Sequence, residues 1–184
     1  MTDGTLALVF DDGYATDYED VYPVLRERDV PASLAIVPAW LGEDGHLTVD
    51  ELDELVDAGW EVVAHGRRHR YLQAHHLAAD AAAGDRRLRL DSDHVFSGED
   101  HGIYPGDEFE VIDSERTETH TLAEKDDEEP VVTLEDPLSA DFSADEAVVR
   151  PTSDQIHDEV VDVRGEFAGL GYDPTTFALP YDAG

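Results

Sequence analysis

The chain has 184 residues, enough to bury the core of one modest domain with an appendage and too few for two large domains. Its 12 basic and 45 acidic residues leave a net charge of −33, which repels nucleic acid and anionic membranes and destabilises the compact state unless salt screens it. The absence of cysteine excludes disulfides and thiolate metal sites, and no apolar run is long enough to cross a bilayer.

The run Leu6-Ala-Leu-Val-Phe10 is apolar throughout and stops at Asp11-Asp12-Gly13, as a buried strand does when it delivers polar groups to the rim of a sheet or barrel. Neighbouring residues on an extended chain point to opposite sides, so one aspartate can bind a metal while the other handles a proton. A solvated Asp-Gly turn gives the same letters. Tyr18, Val21, Tyr22 and Leu25 then recur at helical spacing, with Thr16 or Asp17 placed to cap the start and the end expected near Arg28. Ser33 to Val37 reads as a buried parallel strand closed by Pro38.

Thr48 and Glu51 have capping-box spacing, and Leu47 with Leu52 can form the hydrophobic staple. Leu52, Leu55 and Val56 supply the apolar stripe of this second helix, and Gly59 is a fitting stop. A third strand, Trp60 to Ala64, ends at His65, and His69 follows four residues later. If that segment coils into a helical turn, both imidazoles share one face and can grip one ion. Two histidines and a carboxylate would leave coordination positions open for water and substrate. Two surface histidines in a His-rich chain are the alternative. The order β-α-β-α-β implies a parallel sheet with right-handed crossovers.

Past Leu72 the pattern changes. Ala78 to Arg89 is Ala-rich and then Arg-rich, and its first part reads as helix. From Leu90 to about Arg150 turn residues separate β-like pieces: Phe109 to Ile112, Thr117 to Leu122 and Val131 to Leu134. Pro105-Gly106-Asp107 marks a turn, and Asp126 to Glu129 can join two strands of a hairpin. This stretch is expected to be a small all-β insertion, a sandwich or barrel, carried between two parts of the main domain. Helical grammar returns with the capping-box pair Thr152 and Gln155. Ile156, Val160, Val163, Phe167 and Leu170 share a face, and Gly169 or Gly171 ends the helix. Thr176 to Leu179 is a last strand, stopped by Pro180-Tyr181-Asp182.

Phe10-Asp11-Asp12-Gly13 resembles the Thr-Phe-Asp-Asp-Gly motif of the polysaccharide deacetylases of the NodB-homology, carbohydrate esterase family 4 type. His65-x-x-x-His69 resembles their His-Ser/Thr-x-x-His motif, with Gly66 at the Ser/Thr position. Pro180-Tyr181 resembles part of their Arg-x-Pro-Tyr-Gly motif, with Ala178 at the arginine position and Asp182 at the glycine position. The likeness covers residues 5 to 72 and resumes near the C-terminus.

This resemblance implies an α/β fold, a distorted and incomplete (β/α) barrel of the NodB-homology type. Residues 1–85 and 151–184 would form the barrel portion and residues 90–150 the inserted small all-β domain. It implies a hydrolase that removes N-acetyl or O-acetyl groups from a polysaccharide or amino sugar through a water activated by a divalent metal, zinc by preference. Asp12, His65 and His69 would be the metal ligands, Asp11 the base, and the backbone N–H of Tyr181 an oxyanion donor.

Arg67 or Arg68 would have to replace the missing arginine beside the base. A late Leu-x-x-His-type motif that would supply the acid is not found before Gly184, which suggests a C-terminally incomplete member; His94, His120 and His157 do not lie in that context. The alternatives are a glycan-binding or scaffold protein with a vestigial site and a binding β insertion, or another metal hydrolase. The expected partner is carbohydrate, with no nucleic acid and no membrane insertion. The dispersed acidity reads as halophilic adaptation, and with no basic-then-apolar leader the expected location is a salt-rich cytoplasm.

Overall fold

The structure is a computed structural model that describes residues 6–91, 104–125 and 129–181. Asp126 to Glu128 of the expected hairpin connection, together with His94 and Asp182, lie outside the described residues. The chain divides into two compact units, Met1–His69 with His157–Pro180, and Arg70–Ile156 with Tyr181–Gly184. No helix among the described residues is long and apolar enough to cross a membrane.

The first unit is α/β. Strands β1 (Val9–Asp12), β2 (Ser33–Ile36) and β3 (Glu61–Ala64) form a parallel sheet in the order β1-β2-β3. Phe177 bridges to Ala64 in parallel, and Ala178 N donates to Ala64 O at 2.8 Å, so the last expected strand reaches the sheet by a single bridge. β2 lies between two neighbours and buries Leu34, Ala35 and Ile36 completely. β1 lies at the edge, and its apolar run is not buried as expected: Leu6 is 82% and Val9 52% exposed. The strand also extends through both aspartates.

After β1 the chain makes a π-helical turn, Asp17–Val21, before α1 (Tyr22–Arg26). Pro23, inside the expected helix, has no N–H to donate to the preceding turn, and the wider turn accommodates that gap. Neither Thr16 nor Asp17 caps the start: Thr16 makes no side-chain cap bond, and Asp17 is buried. The helix α2 (Val49–Asp57) follows its sequence signals closely. Thr48 and Glu51 form the reciprocal capping box, Leu47, Leu52 and Leu55 are fully buried, and Gly59 takes a left-handed φ of 95° past the end.

The returning segment contributes a second π-helical turn, Asp158–Asp162, and a helix that we number α4 (Val163–Leu170), capped by left-handed Gly171. Val163 and Phe167 join Leu34, Ile36, Leu52 and Trp60 in the core. The π turn shifts the buried face, so Glu159 is buried, while Val160 is only half-buried.

The second unit is built on a six-stranded antiparallel sheet. Its strands are β4 (His75–His76), β5 (Arg87–Arg89), β6 (Glu108–Ile112), β7 (Thr117–Lys125), β8 (Val131–Leu134) and β9 (Val148–Pro151), in the order β4-β9-β6-β7-β8-β5. The outer strands are joined in turn: Ala78 N donates to Arg89 O at 2.8 Å, Asp91 N to His76 O at 3.0 Å, and Leu77 bridges to Leu90. The sheet therefore closes on itself around Phe109, Val111, Leu122, Leu134 and Phe142. Ala78 to Arg89 is not helical at its start. Ala81 pairs with Phe142, and this non-local pairing overrides the local preference of alanine. The helix α3 (Ser153–His157) begins with the expected box, in which Thr152 N donates to Gln155 Oε1 at 3.0 Å and Gln155 N to Thr152 Oγ1 at 3.2 Å.

Candidate metal centre

The parallel register sets Asp12 level with Ile36, and Ile36 level with Ala64. The ends of β1 and β3 thus deliver Asp12 and His65 to one edge of the sheet. The chain turns sharply there, with φ of 72° at Asp12 and 70° at Gly13. A Cβ on Gly13 would stand 2.7 Å from Ile36 Cδ1, so a side chain there would have to displace that methyl as well as adopt a left-handed backbone.

Asp12 Oδ1 lies 3.5 Å from His65 Nε2 and 3.2 Å from His69 Nε2, and the two Nε2 atoms are 3.2 Å apart. The imidazoles are buried, with 3% exposure for His65 and 8% for His69. Asp12 Oδ1 is buried without a hydrogen-bond partner. Donors bound about 2.0–2.1 Å from a tetrahedral zinc stand roughly 3.3 Å apart, so the trio fits the edges of such a coordination shell. The two N and one O donors also suit zinc and leave a position open.

His65 Nδ1 is 3.0 Å from Ala178 O, which fixes the tautomer with N–H at Nδ1 and the lone pair at Nε2. Ala178, at the position of the resembled motif's arginine, thus acts through its backbone. Burial pushes the His69 pKa down to about 4; Asp12 opposes that shift, and His65 adds to it. His69 is accordingly neutral near pH 7, and its ring packs against Trp40 at 4.9 Å. The connecting segment is not the helical turn considered from the sequence. It is an irregular loop with φ of 78° at Gly66 and 56° at His69.

Two interactions from the Asp158–Leu170 segment hold this loop. Glu159 Oε2 accepts from Arg67 N at 2.8 Å and Arg68 N at 3.0 Å. The Arg67 side chain pairs with Asp158 and Glu166. Arg67 is therefore engaged away from Asp11, and Arg68 is exposed. Asp11 itself is exposed. Sequence reasoning missed Glu159 because it is one acidic residue among 45, with no apolar neighbour pattern to single it out.

Asp17 was also missed except as a cap. Its Oδ2 is buried without a partner, and burial raises its pKa from 3.8 to about 6 against the pull of a Tyr14 backbone hydrogen bond. Asp12 and Asp11 push in the same direction as burial. Tyr181 falls in the second unit, with φ of 56°, its ring 6.0 Å from Tyr71 and its carbonyl accepting from Gln73 Nε2 at 2.9 Å. His120 is buried on β7 with Nε2 3.1 Å from Glu118, whereas His157 is exposed and 3.4 Å from Asp162.

Residues 1–88 match the family model described as polysaccharide deacetylase. Among curated proteins, the one named "Putative polysaccharide deacetylase YxkH" of Bacillus subtilis (strain 168) is 32% identical over 62 residues, 34% of this chain and 22% of that protein. The chain thus aligns with less than a quarter of that relative's length. Among solved structures, a de-N-acetylase from Aggregatibacter actinomycetemcomitans superposes with a TM-score of 0.50 at 16% identity, over 95% of this chain and 54% of that one. That likeness concerns the fold, and at 95% coverage it includes residues of both units. The Streptococcus pyogenes deacetylase PplD, solved in complex with acetate, is 26% identical over 34% of this chain and 29% of its own, with a TM-score of 0.34.

Proposed function

We propose that this chain, whose residues 1–88 match the family model described as polysaccharide deacetylase, is a metal-dependent hydrolase that removes N-acetyl or O-acetyl groups from a polysaccharide or amino sugar. The observation that carries this reading is the convergence of Asp12 Oδ1, His65 Nε2 and His69 Nε2 within 3.5 Å of one another. A divalent ion bound by these donors, zinc by preference, would polarise the acetyl carbonyl and lower the pKa of water beside it.

Asp11 takes a proton from the attacking water as its oxygen bonds to the acetyl carbon. The C–N or C–O bond then breaks, the departing amine or alcohol takes up a proton, and acetate is released. His65 keeps its Nε2 lone pair directed at the shared point because Ala178 O holds its Nδ1 proton.

In this reading residues 1–85 and 151–184 are the barrel portion and residues 90–150 a β-rich insertion. The charge of −33 adapts the protein to a salt-rich cytoplasm. Asp12→Ala abolishes both stoichiometric zinc uptake and acetate release from acetylated oligosaccharides; retention of either contradicts the assignment. One observation favours a second reading, a glycan-binding protein with a vestigial site: Arg67 is committed to Asp158 and Glu166, away from Asp11. Zinc bound at one equivalent with no acetate release from any acetylated sugar or simple ester would select that reading.

A further inference from the structure

Glu159 is 2% exposed, and in a chain this acidic an internal carboxylate needs a reason. Its Oε2 collects the N–H groups of Arg67 and Arg68, successive amides between the two candidate metal histidines. Two backbone donors converging on one oxygen make a strong, directional anchor for an anion. Arg67 adds a second tie through its guanidinium, which reaches Asp158 and Glu166 on either side of that anchor.

Gly66 completes the arrangement. A Cβ placed there would stand 2.7 Å from the same Glu159 Oε2 and 3.4 Å from Pro180 Cγ, at a φ of +78° that side chains disfavour. The carboxylate oxygen thus occupies the space into which a side chain at position 66 would project. This is the position where the resembled motif carries Ser or Thr.

We propose that Glu159 is a positioning residue that braces the His65–His69 loop from outside, in place of a side chain at position 66, and that Gly66 and Glu159 form one coupled device. Resting on the metal-centre reading, the inference is that this brace sets metal affinity by holding His69 Nε2 3.2 Å from both His65 Nε2 and Asp12 Oδ1. Partners that orient metal ligands from behind are worth about 10–100-fold in affinity.

The test uses the full chain in molar salt and zinc alone as the probe, with affinity measured by competition against a chelator. Tryptophan fluorescence verifies folding, and amide exchange of Arg67 and Arg68 is read on the metal-free protein. Glu159→Ala weakens zinc binding about 10–100-fold and exposes both amides to exchange. Glu159→Gln, whose carbonyl can still accept, recovers most of both, which a general packing defect would not do. Gly66→Ser costs more zinc affinity in the wild-type background than in the Glu159→Ala background, because the clash has been removed there.

Wild-type affinity in folded Glu159→Ala overturns the proposal, as do Gly66→Ser and Glu159→Ala effects that simply multiply. If Glu159→Ala does not fold, Glu159→Gln decides: unchanged amide protection and affinity support the brace, and a loss equal to unfolding refutes it. If the wild type binds no zinc, the metal reading fails by itself. Exchange at Arg67 and Arg68 then judges the brace, and protection unchanged in Glu159→Ala ends it.

Discussion

Asp17→Asn tests the electrostatics of the first unit. Asp17 is 6% exposed, and its pKa rises from 3.8 to about 6, mainly through burial. Between those values the folded state holds a proton that the unfolded state releases. The stability tied to that proton is therefore complete below pH 3.8 and is lost as pH climbs through about 6. At about 1.4 kcal/mol per pH unit the ceiling is roughly 3 kcal/mol, and solvent relaxation around the carboxylate brings the expected figure to about 1–3 kcal/mol.

Asparagine keeps the shape without the ionisation. The stability difference, Asp17→Asn minus wild type, should start near zero at pH 4 and grow to that figure by pH 7. Urea unfolding in chelator and molar salt, followed by the fluorescence of Trp40 and Trp60, reports on the first unit, which contains both tryptophans. Molar salt screens the contributions of Asp11 and Asp12 while leaving burial, the largest cause, in place. A difference that stays flat from pH 4 to pH 7 would refute the reasoning.

Two further outcomes follow from the charge and the capping. Lowering salt from about 1 M to about 0.1 M stretches the screening length from about 3 Å to about 10 Å, so a chain with a net charge of −33 should lose thermal stability on dilution. A melting temperature that holds or rises would remove the halophilic reading. Thr48→Ala deletes the acceptor for Glu51 N and half of the reciprocal box at α2. It should cost about 1 kcal/mol in urea unfolding, and no loss would show that the box contributes nothing to the first unit.

The first unit was legible where local chemistry and tertiary demand coincide. At α2 the staple, box, stripe and glycine stop all point the same way, and each is found in place. The histidine pair was legible by spacing, but its conformation was not: Gly66 breaks the helical option, and Glu159, 92 residues beyond Arg67 in the chain, fixes the loop instead. Pro23 carried a signal against a regular first helix, but the apolar spacing around it outweighed that signal in the sequence. In the second unit β6 and β7 were legible through their alternation, and β8 through its β-branched run Val131-Val-Thr. β4 and β5 are too short to show any period, and they exist only because distant partners pair with them.

Backbone strain gives an independent view of the same residues. Among the described residues, four that are not glycine have positive φ: Asp12, Asp29, His69 and Tyr181. Asp29 closes the turn after α1, and the other three are residues that the resemblance marked for metal or oxyanion roles. Such conformations cost of order 1–3 kcal/mol each and persist only where the surroundings over-determine them. At Asp12 the constraints are the pairing with Ile36 and the bond from Leu47 N to Gly13 O at 2.9 Å; at His69 they are the Glu159 anchor and the Trp40 ring. Relaxation to an extended backbone at either residue would swing its donor away from the point that three donors share. The strain is therefore the cost of convergence, and a cation at that point would offset it, so metal affinity and stability of the first unit should change together wherever the anchors are weakened.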